Sequence, residues 1–290
     1  MAPKQSLIGL KASQFRHPLD QDATQSLQQV PGLDIAIRAM LGPVVEEFMF
    51  INNVAASVQV GPQQLPQLHD LLLEACEILD VESPQLYVKQ HPTPNAYTLA
   101  MRGKRPFIVI HTALIDLLTW EEVQAVIAHE LGHLKCEHGV YMTLANVMVL
   151  AASIVPTWGA LLTQALQDRM LEWSRCAELS CDRAALLACQ NPDVVMSVLM
   201  KLAGGSPRLA PMLNLDAFVA QARDYDAIAT HEIGHLLRSA QVQQLTHPFP
   251  VLRAREVQRW AKSSDYQALL ESNRGGYNGK ASNTGEWRNW

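Results

Sequence analysis

The chain has 290 residues, enough for one large domain or two small ones. With 48% hydrophobic and 18% charged residues, its composition is typical of a globular protein rather than a disordered one. The net charge of -5 and the absence of any Lys/Arg-rich run argue against nucleic-acid binding.

The cysteine pattern and the start of the chain indicate the compartment. The cysteines are odd in number and include no C-x-x-C pair: Cys76, Cys136, Cys176, Cys181 and Cys189. This argues against a disulfide framework and against a zinc ribbon, and it predicts a reducing, cytoplasmic environment. The chain has no acid before Asp20 and no apolar segment of a secretory signal, so a short organellar transit peptide stays open.

The ends of the chain are predicted to flank one folded domain. Residues 1–30 are polar and glutamine-rich and end at the turn sequence Val30-Pro31-Gly32, so we predict a polar N-terminal extension. Residues 31–271 form the domain, and the Gly/Asn/Ser-rich residues 272–290 form a disordered tail. Apolar residues at helical spacing predict one helix within 33–60 and a second over 64–79.

The middle of the chain changes from helical to strand patterns and back. Short β-rich runs bounded by Pro and Gly predict strands at 86–90, 95–103 and 106–114. Thr119 and Glu122 then form a capping box that opens a helix carrying His129. Further helices are predicted at 168–190, 192–203, 216–245 and 251–271. The predicted fold class is therefore α+β and mainly helical, with a small sheet.

One long segment, residues 140–167, has no charged side chain. Pro156 divides it into two apolar pieces, each shorter than the roughly 20 residues that a helix needs to cross a bilayer. A buried or membrane-surface helical hairpin is therefore favoured over a membrane span, and peripheral membrane contact through this segment is expected.

The motif H-E-x-x-H occurs twice, as His129, Glu130 and His133 and again as His231, Glu232 and His235. Residues four apart share one face of a helix, so the two imidazoles can bind one zinc ion. The glutamate between them is then placed to act as general base toward the attacking water.

The surroundings favour the first motif. A catalytic zinc needs a third protein ligand, and Glu178 can supply it after the first motif, while Asp182, one turn later, can hydrogen-bond a ligating histidine. The nearest candidate after the second motif is Glu256, and Trp260 stands where a second acid would be needed. The second motif is therefore expected to be a solvated helix face.

Three ordered motifs resemble those of the HtpX-like zinc metallopeptidases, a gluzincin family that also contains the CAAX prenyl proteases. They are AVIAHELGHLKCEHG, Glu178-x-x-x-Asp182 and THPFPVLR at 246–253, and the resemblance covers roughly 60–260. It implies a small sheet beside the active-site helix and contact between Asn95 and the substrate backbone. It also implies that His247 lies near the zinc and that Arg253 helps to organise the cleft.

The chain departs from this family in lacking the several long membrane spans of its integral-membrane members, which argues against polytopic membrane residence and against prenylated substrates. His138 is expected to be a hydrogen-bonded structural histidine, because the metzincin pattern would need Gly at 136 and His at 139.

These observations predict a zinc-dependent metalloendopeptidase acting on protein or peptide substrates, with protein quality control as one candidate role. His129, His133 and Glu178 would bind one zinc ion per chain, Glu130 would act as general base, and His247 would stabilise the oxyanion. Two alternatives stay open. One is a non-catalytic, zinc-stabilised, chaperone-like binding protein. The other is a membrane-embedded protease, if residues 140–167 insert.

Overall fold

The computed structural model describes residues 4–29, 51, 53–100, 105–139, 141, 160–228 and 248–272. Its strands are β1 (Val58–Gln59), β2 (Gln85–Lys89), β3 (Ala96–Leu99) and β4 (Phe107–His111). Its helices are α1 (Ala12–Phe15), α2 (Pro18–Gln28), α3 (Pro66–Leu79), α4 (Thr112–Leu117), α5 (Trp120–Lys135), α6 (Ala160–Cys189), α7 (Pro192–Gly204), α8 (Leu215–Ile228), α9 (Pro250–Ala261) and α10 (Ser264–Ser272). The predicted class, α+β and mainly helical, is confirmed.

The four strands form one sheet in the order β1-β2-β4-β3. Strands β2 and β4 are parallel, and the two outer strands run antiparallel to their neighbours. Every residue of β4 is buried, because Phe107 and Val109 face a small cluster with Tyr87 and Leu99, while Ile108 and Ile110 face the main core. Strand β3 is left as an edge strand, and it lies beside α5.

Helix α5 begins where the capping box predicts. The backbone N–H of Thr119 donates to Oε2 of Glu122 at 2.8 Å, and that of Glu122 donates to Oγ1 of Thr119 at 3.4 Å. The Glu122 carboxylate also accepts hydrogen bonds from Ser197 and Lys201 of α7, each at 2.6 Å. Burial would raise the pKa of Glu122, but these bonds lower it. The N-terminus of the motif-bearing helix is thus tied to α7.

The first residues of the chain take part in the packed core, although their sequence predicts a polar extension. Leu7, Leu10 and Phe15 are buried in the main cluster, and α2 packs along α6. The backbone N–H of Leu7 donates to the carbonyl of Ile78 at 2.9 Å. The apolar residues of this segment are too widely spaced among polar ones to give a periodic signal. Removing residues 4–29 as a transit peptide would therefore open the core.

Several element boundaries differ from those expected. The strand predicted at 106–114 ends at His111, and α4 follows it, since periodicity alone does not separate a short apolar strand from a helical turn. The helix predicted at 251–271 is divided into α9 and α10, because the hydroxyl of Ser263 caps the second helix by accepting from the backbone N–H of Tyr266. Strand β1 was not predicted, and α6 begins at Ala160 rather than at 168.

Some predictions fall outside the described residues. They include most of the helix expected within 33–60, residues 142–159 of the uncharged segment, residues 229–245 with the second H-E-x-x-H, and the tail from 273. Among the helices that the structure does describe, none is long and apolar enough to span a membrane.

Candidate metal centre

The first H-E-x-x-H and the acid of α6 meet at one point. Nε2 of His129 lies 3.4 Å from one carboxylate oxygen of Glu178, and Nε2 of His133 lies 3.5 Å from the other. Two ligands at zinc-binding distance and a tetrahedral angle are separated by about 3.3–3.5 Å. Glu178 and His133 are almost fully buried, and His129 is partly exposed. Each separation between a histidine nitrogen and a Glu178 oxygen therefore suits two ligands of one zinc ion.

Nδ1 of His129, the ring nitrogen that does not face Glu178, is hydrogen-bonded to a carboxylate. It lies 3.1 Å from Oδ1 of Asp182, one turn after Glu178 on α6. Arg253 of α9 donates to both oxygens of Asp182, at 2.6 and 2.7 Å, and its guanidinium lies 3.0 Å from Oε2 of Glu178. A carboxylate on Nδ1 fixes the tautomer that leaves Nε2 free for a metal.

The electrostatics at His129 favour a positive charge in this position. Burial alone would lower the pKa of His129, but the carboxylates of Glu178 and Asp182 outweigh it and raise the pKa to about 10. In the metal-free protein, the carboxylates thus stabilise a proton on the imidazole. A divalent cation at the same place would meet the same favourable field.

Glu130 lies beside the three donors, and its carboxylate is held from the sheet. The hydroxyl of Thr98, on edge strand β3, donates to Oε2 of Glu130 at 2.6 Å. Both residues are buried, and Glu130 lines the cavity in front of the metal donors. The role of Thr98 was missed from the sequence, because a strand residue and a helix residue 32 positions apart carry no shared local signal.

His133 is held through a second histidine. Its Nδ1 lies 3.2 Å from Nδ1 of His138, and Nε2 of His138 lies 3.0 Å from Oδ2 of Asp20 on α2. Burial would raise the pKa of Asp20, but hydrogen bonds from His138 and Ser180 and the charge of Arg16 lower it to about 2. Burial lowers the pKa of His138 to about 4, so His138 is neutral. His138 is thus hydrogen-bonded, as its sequence context suggests, whereas the contribution of Asp20 was missed.

Two other groups of metal-ligating side chains occur in the described residues. Cys181 lies close to His129 and His133, and burial raises the pKa of its thiol far above the usual range in the metal-free protein. Asp20, Cys136 and His138 form the other group. There Oδ2 of Asp20 lies 3.0 Å from Nε2 of His138 and 3.3 Å from Nε of Arg16, so this carboxylate oxygen already has two nitrogen partners.

A cavity of about 330 Å³ opens in front of the donors. Its walls are mostly apolar and come from α5, α6, α7 and the start of α9; they include Ala125, Val126, Ala185, Val195, Val198, Leu199 and Phe249. Asn95, at the start of β3, lines the same cavity, as does Arg253. His247 and the residues of the second motif, His231, Glu232 and His235, lie outside the described residues.

The glycine inside the first motif explains how α5 and α6 approach so closely. A Cβ built on Gly132 would lie 2.9 Å from Cβ of Ala184 and 2.9 Å from Cα of Cys181 on α6. Such contacts cannot be relieved by rotating a flexible side chain. Any larger residue at 132 would push apart the two helices that carry the metal donors.

We therefore expect Gly132→Ala to lower the free energy of unfolding by about 1–3 kcal/mol, because overpacking outweighs the better helix propensity of alanine. Zinc affinity should fall with it, since Glu178 moves away from the histidines. The control is Gly204→Ala at the end of α7, where an added Cβ meets nothing within 4 Å. Urea unfolding of both variants measures the effect. Equal stability of the two would contradict the close approach of the helices.

The known proteins and the family profile that match this chain are all peptidases. The profile of peptidase family M48 matches residues 62–261, which is more than half of the chain. The plastoglobule-localized metallopeptidase 48, chloroplastic, of Arabidopsis thaliana is 54% identical over 262 residues, covering 90% of this chain and 76% of that protein.

Two microbial relatives match at lower identity. A protease HtpX homolog of Moorella thermoacetica is 25% identical over 207 residues, covering 61% of this chain and 69% of that protein. The protease HtpX homolog 2 of Methanosarcina acetivorans is 27% identical over 169 residues, covering 50% of this chain and 58% of that protein. No solved structure matches significantly.

Proposed function

The chain belongs to peptidase family M48 and is a metallopeptidase, and on this premise we propose that its metal is one zinc ion held by His129, His133 and Glu178. The observation that supports this set most directly is the pairing of both Nε2 atoms with the two oxygens of Glu178 at 3.4 and 3.5 Å. Asp182, oriented by Arg253, serves to keep Nε2 of His129 directed at the metal.

Glu130 is the proposed general base. When bound, zinc supplies a water of lowered pKa and polarises the scissile carbonyl. Glu130 lines the cavity next to the metal donors and takes the proton from the attacking water. Thr98, by donating to Oε2, holds the Glu130 side chain in one orientation before the substrate arrives. This base distinguishes the site from that of a non-catalytic zinc-stabilised protein, which has no use for a glutamate there.

The substrate is proposed to be a protein or peptide that binds along β3. Strand β3 is the sheet edge next to α5, so its outer backbone groups can pair with an extended chain. Asn95, at the start of this strand, lines the cavity and is the proposed contact to the substrate backbone. His247 remains a proposed oxyanion donor, and in sequence it directly precedes Pro248, which lines the cavity.

For location, we propose an organelle in place of the cytoplasm predicted from the cysteines. The relative from Arabidopsis thaliana is named as chloroplastic and plastoglobule-localized. No cysteine forms a disulfide among the described residues, as expected in a reducing compartment; the free cysteines are Cys76, Cys136, Cys176, Cys181 and Cys189. Peripheral membrane contact through residues 140–167 stays a proposal as well. A fluorescent fusion followed in plant cells tests the location.

The metal content of the purified protein tests the proposed centre. We expect about one zinc per chain, bound by the proposed set of His129, His133 and Glu178. A chelator should abolish peptidase activity on a general protein substrate, and added zinc should restore it. Two equivalents of zinc, one of them lost when His231 and His235 are both replaced, would mean that the second motif also binds metal. Full activity in the metal-free protein would contradict the proposal.

A further inference from the structure

A chain of three buried side chains leads from the metal centre to the N-terminal segment. His133 directs Nε2 at Glu178, and its other ring nitrogen faces His138 at 3.2 Å. Nε2 of His138 faces Oδ2 of Asp20 at 3.0 Å. The three residues are 3%, 1% and 0% exposed, so water does not compete for these contacts.

The donor and acceptor of each hydrogen bond follow from the two ends of the chain, which are the metal bound by His133 and the carboxylate of Asp20. A histidine that binds a metal through Nε2 must carry its proton on Nδ1, so His133 donates to Nδ1 of His138. A His138 ring that accepts a hydrogen bond at Nδ1 carries its own proton on Nε2, which it donates to Asp20. Because a carboxylate only accepts, one set of tautomers satisfies every contact.

Asp20 is itself held rigidly by both oxygens. Oδ2 also accepts from the hydroxyl of Ser180 at 2.6 Å, and Oδ1 accepts from the hydroxyl of Thr24 at 3.1 Å. Ser180 stands two residues after Glu178 on α6, so the same carboxylate touches the helix that supplies the third donor. The indole of Trp173 donates to Thr24 at 2.9 Å and anchors the other side.

We propose that Asp20 is a positioning residue of the metal centre, which acts through His138 to hold the ring and tautomer of His133. Asp20 lies outside the family match at 62–261, so the N-terminal segment supplies a part of the site that the family assignment does not cover. The proposal rests on the proposed zinc set. Replacing such outer partners of a ligating histidine lowers metal affinity by about 10–100-fold.

The test is a zinc titration of the full chain against a competing chromophoric chelator. Asp20→Asn keeps the size and one acceptor oxygen but removes the charge, and Asp20→Ala removes every contact. We expect the zinc Kd to rise by about tenfold for Asp20→Asn and by more for Asp20→Ala. The control is Asp22→Asn on the exposed side of α2, which should bind zinc as the wild type does.

A purely structural role for Asp20 would give a different result. The titration is done well below the thermal midpoint of each metal-free variant, so a changed Kd reports on the site and not on unfolding. If Asp20→Asn and Asp22→Asn bind zinc equally well, the proposal is overturned. If neither the wild type nor Asp22→Asn binds zinc, the proposed zinc set itself is at fault, which is a distinguishable outcome.

A double-mutant cycle tests the route through His138. His138→Phe keeps an aromatic ring at this position, but the new ring neither accepts from His133 nor donates to Asp20. If Asp20 acts through this ring, adding Asp20→Asn to His138→Phe should not raise the zinc Kd further. Independent, multiplicative effects of the two changes would overturn the relay. Where Asp20→Ala does not fold, the Asp20→Asn titration and this cycle decide the question.

Discussion

Replacing Glu130 with glutamine is expected to lower kcat/KM by about 10²–10⁴-fold while zinc stays bound. Glutamine keeps the shape of the side chain and can still accept from Thr98, but it cannot take a proton from water. The side chain is not one of the three proposed metal donors, so the metal should be retained. Steady-state kinetics on a peptide substrate and the zinc content of the same sample measure both effects.

Glu121→Gln is the matched control for this experiment. Glu121 lies on the same helix, in its exposed first turn, so its replacement should leave both activity and zinc content unchanged. A Glu130→Gln enzyme that cleaves as fast as the wild type would show that Glu130 is not the general base. Loss of zinc from that variant would instead indicate that Glu130 is needed to bind the metal.

Glu178→Gln should differ from Glu130→Gln in that zinc binding is weakened and activity falls because the metal is lost. Both oxygens of Glu178 face the ligating histidines. In glutamine, an NH₂ group replaces one of these oxygens and has no lone pair to offer the metal, and the negative charge is lost. We expect the zinc Kd to rise by at least about a hundredfold, beyond the range seen for outer-sphere partners. Activity should be low at trace zinc and should recover in part when zinc is in excess.

The recovery at high zinc separates the two variants, because added metal cannot restore a missing base. Glu172→Gln serves as the control, since Glu172 is exposed on the same helix. Unchanged zinc affinity in Glu178→Gln would show that another residue is the third donor. Cys181, which lies close to both histidines, would then be the first candidate to replace.

Family membership and the parts of the centre that lie within one helix could be predicted from the sequence. The capping box at Thr119 sets the start of α5, and the spacing of His129 and His133 places both rings on one face. Asp182 follows Glu178 by one turn of α6, and the structure brings Asp182 to His129 at 3.1 Å. The capping box and the placement of these side chains on their helices could be predicted because they depend on helical periodicity, which is a local property of the chain.

Only the tertiary structure decided which side chains hold these groups in place. Thr98 reaches Glu130 across 32 positions, and Asp20 reaches His138 across 118, so neither contact leaves a local pattern. The short polar residues of the N-terminal segment look like a solvated extension until Leu7 and Phe15 are seen in the core. Their roles arise from burial. In water, a lone Asp or Thr needs no partner. Asp20 is buried between α2 and α6 and Thr98 between β3 and α5, where a polar group without a hydrogen bond is costly.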